Sequence, residues 1–145
     1  MRIIVCIDDN GGMMFNNRRV SSDKAVTDRI IDLLKDDVLY LNEYSAKLFL
    51  EKTDNLKISD DFLSEAGEND YCLVENVDIT EYISDISQVI IYNWNRKYPS
   101  DLKFPKEAAI SGFKCVSVSE FGGNSHEKIT EEIYEGTVLY LNLYR

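Results

Sequence analysis

The sequence is poor in the residues that bind structural metals or cross-link secreted domains. Its 145 residues include three cysteines and one histidine. Cys6, Cys72 and Cys115 are widely spaced and each lies in an apolar stretch, which favours reduced core cysteines over a disulfide framework. With one histidine and no Cys-x-x-Cys pair, a structural zinc site is not expected, and we predict no metal-binding residues.

Positive charge and long apolar runs are also scarce. The chain has 16 basic against 26 acidic residues, a formal net charge of −10. Such a surface repels phosphate backbones and anionic lipids, so we expect neither nucleic acid nor a membrane as partner. No apolar run approaches the roughly 18 residues that span a bilayer, and the first residues lack the features of a signal peptide. We therefore expect a cytoplasmic protein with a single domain over residues 1–145.

Short apolar segments alternate with helical patterns early in the chain, and apolar strands predominate later. Residues 13–20 are predicted to be irregular, and residues 53–69 are polar and mixed. This order predicts an α/β fold with a mixed, mostly parallel sheet, flanking helices and closing antiparallel hairpin strands. Strands are predicted over residues 3–7, 38–41, 71–74, 89–94, 113–118, 128–134 and 138–144, and helices over residues 23–34, 43–51 and 79–86.

The opening of the chain resembles that of the dihydrofolate reductases. A first strand runs into Gly11-Gly12, and Ser21-Ser22 then precede a helix that begins near Asp23. In that family the corresponding helix carries the one essential carboxylate in its first turn, and Asp23 falls at this position.

The second half of the chain carries the same resemblance. The strand at residues 89–94 is followed by residues 98–105, Tyr-Pro-Ser-Asp-Leu-Lys-Phe-Pro, which are similar to the family's Asp-x-x-Phe-Pro signature. Residues 113–126 and the acidic strand after them resemble its closing hairpin. The resemblance covers most of the chain, with the central part shortened, and implies a dihydrofolate reductase-like α/β fold.

The segments that bind NADPH in that family differ here. Residues 74–78, Val-Glu-Asn-Val-Asp, replace its glycine-rich diphosphate turn, so two carboxylates would face an anionic group. Leu41-Asn42 replaces a glycine and a basic residue, and the adenosine-phosphate segment is largely missing between Phe49 and Tyr71. A like-charge contact in a partly desolvated site costs on the order of a few kcal/mol. We therefore expect no cofactor-binding residues and no ordinary folate reduction.

Asp23 is the principal candidate for ligand binding. Its carboxylate could pair with the planar, amidine-like edge of a ligand such as a pterin. Alternatively, it is only a favourable charge near a helix N-terminus. Both interpretations remain open.

Five further side chains are candidates for the wall of a ligand pocket. Met13, Met14, Phe15 and Trp94 could line an apolar pocket, or could simply pack in the core under a loop. Tyr92 stands where the family has a small polar residue that contacts substrate, and could partly fill such a pocket.

Two polar clusters are interpreted as structural. Arg18 and Arg19 could bind a carboxylate or phosphate, but a solvated loop is favoured. His126 beside Ser125 suggests a catalytic triad, yet no Gly-x-Ser-x-Gly motif accompanies it, and we predict a turn histidine. We also interpret Glu131 as part of a solvated strand face.

Three hypotheses for function follow. The first is a non-catalytic or repurposed binder of a pterin-like or nucleotide-like small molecule, without a cofactor. The second is a divergent reductase of a pterin-type substrate, the only case in which NADPH is the cofactor. The third is a homodimeric interaction protein that pairs through Val138 to Tyr144, whose Leu and Tyr faces are unusually apolar for an edge strand.

Overall fold

The computed structural model describes residues 1–136 of the chain. The strands in chain order are β1 (Arg2–Ile7), β2 (Gly12–Phe15), β3 (Arg18–Arg19), β4 (Leu39–Leu41), β5 (Leu56–Ile58), β6 (Tyr71–Val74), β7 (Gln88–Asn93), β8 (Leu102–Lys103), β9 (Phe113–Phe121) and β10 (Ile129–Gly136). The helices are α1 (Lys24–Leu34), α2 (Glu43–Ala46), α3 (Phe62–Glu65), a 3₁₀ helix (Thr80–Asp85) and α4 (Lys106–Ala109).

Seven of the strands within residues 1–136 form the main sheet, in the order β5-β4-β6-β1-β7-β10-β9. The pairs from β5 to β7 are parallel, and β10 pairs antiparallel with both β7 and β9. This arrangement confirms the predicted mixed, mostly parallel sheet that ends in an antiparallel hairpin.

The central strands occupy the middle of the sheet because both of their faces are apolar. In β1, Ile3 and Val5 point into one core cluster and Ile4 points into the other, as the alternation of a strand requires. All three side chains are fully buried. Continuous β-branched runs of this kind are typical of parallel strands that are covered on both sides.

Helix α1 covers one face of the sheet with a single apolar stripe. Val26, Ile30 and Leu34 recur every four residues and are buried in the same cluster as Ile4. Asp23 is the N-cap and not a first-turn residue, since its backbone is extended and its side chain accepts the Ala25 N–H. The N-cap fixes the Asp23 carboxylate at the amino end of α1.

The prediction of irregular structure over residues 13–20 is wrong. Strands β2 and β3 form a hairpin whose two turn residues, Asn16 and Asn17, have φ values of 50° and 62°. Positive φ at both central residues is the signature of the two-residue turn that matches strand twist, and asparagine tolerates it. Strand β8 joins this hairpin on its other side as a small second sheet.

Other differences from the predicted elements are local. The helix expected over residues 43–51 is regular only to Ala46 and continues as turns to residue 52. The mixed segment 53–69 contains β5 and α3. Cys115, expected in the core, is exposed on the edge strand β9. The strand predicted from Val138 to Tyr144 lies outside the described residues.

No helix within residues 1–136 is both long enough and apolar enough to cross a membrane.

Candidate functional site

The candidate site lies at the carboxyl ends of the parallel strands. From β1 the chain crosses to β4 on one side of β1, and from β6 it later crosses past β1 to β7 on the other side. The direction of the crossover connections therefore reverses beside β1. Ligands of open α/β sheets bind in the crevice at such a reversal. Glu75 and Trp94, which follow β6 and β7, line a cavity at this end of the sheet.

The cavity is narrow. Its volume is about 20 Å³, which is room for about one water molecule. Pockets for drug-sized ligands measure roughly 300–1,000 Å³. The wall combines polar and apolar side chains, among them Cys6, Arg19, Ser21, Asp23, Val26, Thr27, Ile30, Leu48, Phe49, Leu73, Glu75 and Trp94.

Asp23 is buried, and its carboxylate is bonded to the protein itself. Oδ1 accepts the N–H groups of Ala25 and Asn124, each at 2.9 Å. Oδ2 accepts the Ser125 N–H at 2.9 Å, the Ser125 hydroxyl at 3.2 Å and His126 Nδ1 at 2.9 Å. A carboxylate offers about four acceptor positions, so these donors fill it.

These donors also keep the carboxylate ionised. Burial on its own would raise the pKa of Asp23, but it is outweighed by the hydrogen bonds from Asn124, His126, Ser125 and Ala25. The net effect holds the pKa of Asp23 well below its ordinary value. The site therefore contains a buried negative charge.

The turn that supplies most of these donors packs directly on Asp23. A Cβ atom at Gly123 would collide with Asp23 Oδ2, and would lie 2.8 Å from Ile129 Cδ1 and 2.9 Å from the His126 carbonyl oxygen. A Cβ atom does not approach non-bonded atoms this closely, so residue 123 must be glycine for the turn to reach the carboxylate.

His126 is part of the site and is almost completely buried. Its ring stacks on the Trp94 indole, with centroids 4.6 Å apart and planes inclined by 25°. Nδ1 faces Asp23, while Nε2 lies 2.8 Å from Ser21 Oγ and 3.2 Å from the Tyr98 hydroxyl. The sequence gave no sign that the segment around this histidine folds over the start of α1.

Trp94, which was also a candidate from the sequence, lines the cavity together with Asp23. Its side chain is 2% exposed, and its Nε1–H has no hydrogen-bond acceptor in the described part of the chain. Buried polar groups are nearly always paired, so an unpaired indole N–H beside a cavity is an informative exception.

The other predicted pocket residues lie elsewhere. Met13 and Met14 are buried in the core cluster of Ile3, on the opposite face of the sheet from α1. Phe15 is 41% exposed at the end of β2, next to the hairpin turn. None of the three lines the cavity.

Tyr92 is fully buried and belongs to a structural network. Its hydroxyl donates to Glu131 Oε2 at 2.9 Å, and Arg29 Nε donates to the same oxygen at 2.8 Å. Burial, together with the adjacent Glu131 carboxylate, raises the pKa of Tyr92. Glu131 is thus buried and tied to α1, contrary to the solvated face that the sequence predicted.

Arg19 and Glu75 close the side of the cavity next to β6. Arg19 donates through Nε to Glu75 Oε2 at 2.8 Å and through Nη2 to Oε1 at 3.1 Å, and its guanidinium lies over the Tyr44 ring. Instead of a solvated loop, Arg19 forms a bidentate ion pair with little solvent exposure.

The segment after β6 does not suit a diphosphate. Glu75 holds a carboxylate at the strand end, and the Thr80 N–H at the start of the 3₁₀ helix donates to Asp78 Oδ1 at 2.9 Å. Phosphate sites at such positions use free backbone N–H groups and lack acidic side chains. These residues therefore do not fit the NADPH that the fold family implies.

Comparison with known proteins identifies the fold. No family model matches the sequence, and no curated protein matches it. Among solved structures, the chain is similar to dihydrofolate reductase from Enterococcus faecalis complexed with NADP(H) and RAB-propyl. The two share 12% sequence identity with a TM-score of 0.67, over 93% of this chain and 95% of that one. The chain has a divergent form of the dihydrofolate reductase-like fold, as the sequence motifs predicted.

Proposed function

We propose that the protein is a repurposed small-molecule binder on the dihydrofolate reductase-like scaffold. Its ligand is a planar heteroaromatic compound of the pterin or nucleobase class, held without reduction by NADPH. The observation that carries the proposal is the buried Nε1–H of Trp94, which has no hydrogen-bond partner among the described residues and belongs to a residue that lines the cavity at the strand ends.

The Trp94 N–H favours a ligand that brings an acceptor. A buried donor left unpaired costs about 1–3 kcal/mol, and a ring nitrogen or carbonyl oxygen on a ligand would recover this energy. The ionised Asp23 in the same wall favours a ligand edge that also carries N–H groups or positive charge. Pterins and nucleobases combine acceptors and donors on one flat edge.

Binding requires the cavity to widen. At about 20 Å³ it is too small for a bicyclic ring, so one wall must move outward. Leu48 and Phe49 also line the cavity and lie in the turns that follow α2, so we expect this wall to move. Asp23 accepts a ligand N–H directly only after one donor of the 124–126 turn leaves. Trp94 is therefore the primary contact.

Charge at the end of β6 disfavours the reductase alternative. Glu75 and Asp78 lie in the segment after β6, where the family has its diphosphate turn, and the Thr80 N–H in that segment already donates to Asp78. We expect no loss of nicotinamide absorbance when the protein is mixed with NADPH and dihydropterins. Turnover in this assay that is abolished by Trp94→Phe would replace the binder with an oxidoreductase.

Calorimetric titration of the wild type and of Trp94→Phe tests the proposal. The panel contains pterin, a diaminopteridine and the common nucleosides. We expect saturable binding of at least one compound, weakened about tenfold by Trp94→Phe because one hydrogen bond of about 1.4 kcal/mol is lost. Phenylalanine keeps an aromatic ring beside His126 but is smaller than the indole, so thermal unfolding must first show that the variant is folded before its binding is compared with that of the wild type. Binding by no compound, or equal binding by both proteins, would contradict the assignment.

A further inference from the structure

Ser21, His126 and Asp23 form a continuous chain of hydrogen bonds at one side of the cavity. Ser21 Oγ lies 2.8 Å from His126 Nε2, and His126 Nδ1 lies 2.9 Å from Asp23 Oδ2. The serine and the histidine are 105 positions apart in sequence and meet because the 122–126 turn packs on the N-cap of α1. Both distances fall within the range that an activated serine nucleophile requires.

Asp23 determines which atom donates in each of these hydrogen bonds. Because that carboxylate is an acceptor, it favours the tautomer whose Nδ1–H donates a hydrogen bond to Oδ2, which leaves Nε2 as the acceptor that faces Ser21. Ser21 donates its hydroxyl proton to Nε2. Stacking on Trp94 and near-complete burial hold the ring in this orientation.

Two further donors belong to the surroundings of the serine. The Tyr98 hydroxyl is 3.4 Å from Ser21 Oγ, and Trp94, whose Nε1–H has no acceptor within residues 1–136, lines the same cavity as Ser21. A tetrahedral intermediate of acyl transfer needs such donors for its negatively charged oxygen. Ser21 is half-buried, whereas Asp23 and His126 are buried, so the serine is the most exposed residue of the three.

From these contacts we infer that the protein hydrolyses small acyl esters with Ser21 as nucleophile and His126 as general base. Ser21 Oγ forms a bond to the carbonyl carbon while its proton passes to His126 Nε2. The ester C–O bond then breaks, and the alcohol leaves with that proton. Water attacks the acyl-serine, gives a proton to Nε2 and releases the acid, and the proton returns to Ser21. Asp23 acts as a positioning residue through Nδ1.

This activity goes beyond the proposed binding function, and a fluorophosphonate probe tests it separately. Attack by Ser21 forms an O–P bond, breaks the P–F bond and releases fluoride, with the proton taken up by His126. Peptide mass mapping of the full-length protein locates the added phosphonyl group. We expect labelling of Ser21 in the wild type, none at this peptide in Ser21→Ala, and unchanged labelling in Ser111→Ala, which removes an exposed serine.

The rate of labelling distinguishes the roles of the other residues. We expect His126→Gln to lower the maximal rate at least 100-fold. Asp23→Asn should lower the maximal rate without changing the probe concentration that gives half that rate, as expected for a residue that only orients the base. Tyr98→Phe, which keeps its ring, should lower the rate by about tenfold and provides a test if the Asp23 or His126 variants fail to fold.

Two results would overturn the inference. One is a folded wild type whose Ser21 stays unmodified by millimolar probe. The other is labelling of Ser21 at the same rate in wild type and in correctly folded His126→Gln or Tyr98→Phe. Neither result bears on the binding function, which is tested separately by calorimetric titration of the wild type and Trp94→Phe with the pterin and nucleoside panel.

Discussion

Replacement of Gly123 by alanine tests whether the 122–126 turn is fastened to Asp23. The added Cβ would collide with Asp23 Oδ2 and would lie 2.8 Å from Ile129 Cδ1 and 2.9 Å from the His126 carbonyl oxygen. Ile129 is fully buried, and the carbonyl belongs to the backbone, so neither can move aside. The turn must therefore shift away from the carboxylate.

The structure sets the size of this effect. Overpacking a tight site costs about 1–3 kcal/mol. Each hydrogen bond to a charged acceptor contributes about 1.5–3 kcal/mol, and the shift stretches the bonds from Asn124 and Ser125 to Asp23. We expect Gly123→Ala to lower the free energy of unfolding by about 3 kcal/mol. For a chain of this size, that corresponds to a fall in Tm of roughly 6–12 °C.

Urea unfolding followed by circular dichroism measures the change, and Gly122→Ala is the matched control. A Cβ at Gly122 meets only the Glu127 carbonyl oxygen, at 3.8 Å, and the residue is exposed. Its stability should stay within about 0.5 kcal/mol of wild type. If both variants are equally stable, the turn does not pack on Asp23 as described.

Two further predictions concern buried charge. Because the pKa of Asp23 is depressed in the folded state, its stabilising contribution is present above the unfolded pKa of roughly 3.9 and is lost as the pH falls toward the folded pKa. Asp23→Asn should therefore lower the free energy of unfolding at pH 7 by about 1.5–3 kcal/mol and flatten its decrease below pH 5. Urea unfolding at a series of pH values measures both effects. A variant as stable as the wild type at pH 7, with the same decrease in stability at acid pH, would refute this. Tyr92→Phe removes a hydroxyl that donates to the buried Glu131 and should lower the free energy of unfolding by about 1–3 kcal/mol. Tyr134→Phe removes a half-buried hydroxyl that donates to Glu132 and should lower it by less than about 1 kcal/mol. Equal losses of stability in thermal unfolding would contradict the assigned burial.

The fold was predictable because its signals are local. The β-branched runs of β1 and β7 mark buried parallel strands, and the four-residue spacing of Val26, Ile30 and Leu34 marks one face of α1. The β2–β3 hairpin also had a signal in Asn16-Asn17, since adjacent asparagines tolerate positive φ, but the sequence interpretation missed it.

The composition of the site was predictable only in part, because it depends on contacts between distant segments. The position of Asp23 follows from the capping pattern, whereas its pairing with His126 joins residues 103 positions apart. The burial of Glu131 likewise depends on Arg29 of α1, which no strand pattern reveals. Cys115 lies in a strand with an apolar sequence pattern but is exposed, since β9 is the outermost strand of the sheet within residues 1–136.

The indole N–H resonance of Trp94 reports whether a ligand acceptor reaches this group, and it is easily assigned because Trp94 is the only tryptophan in the chain. In a ¹H–¹⁵N correlation spectrum this group gives a single cross-peak. We predict that a pterin or nucleobase compound shifts the cross-peak saturably and downfield as the N–H gains an acceptor, and that NADPH leaves it unchanged. A cross-peak that responds to NADPH at micromolar concentration, and to none of the heteroaromatic compounds, would contradict the account.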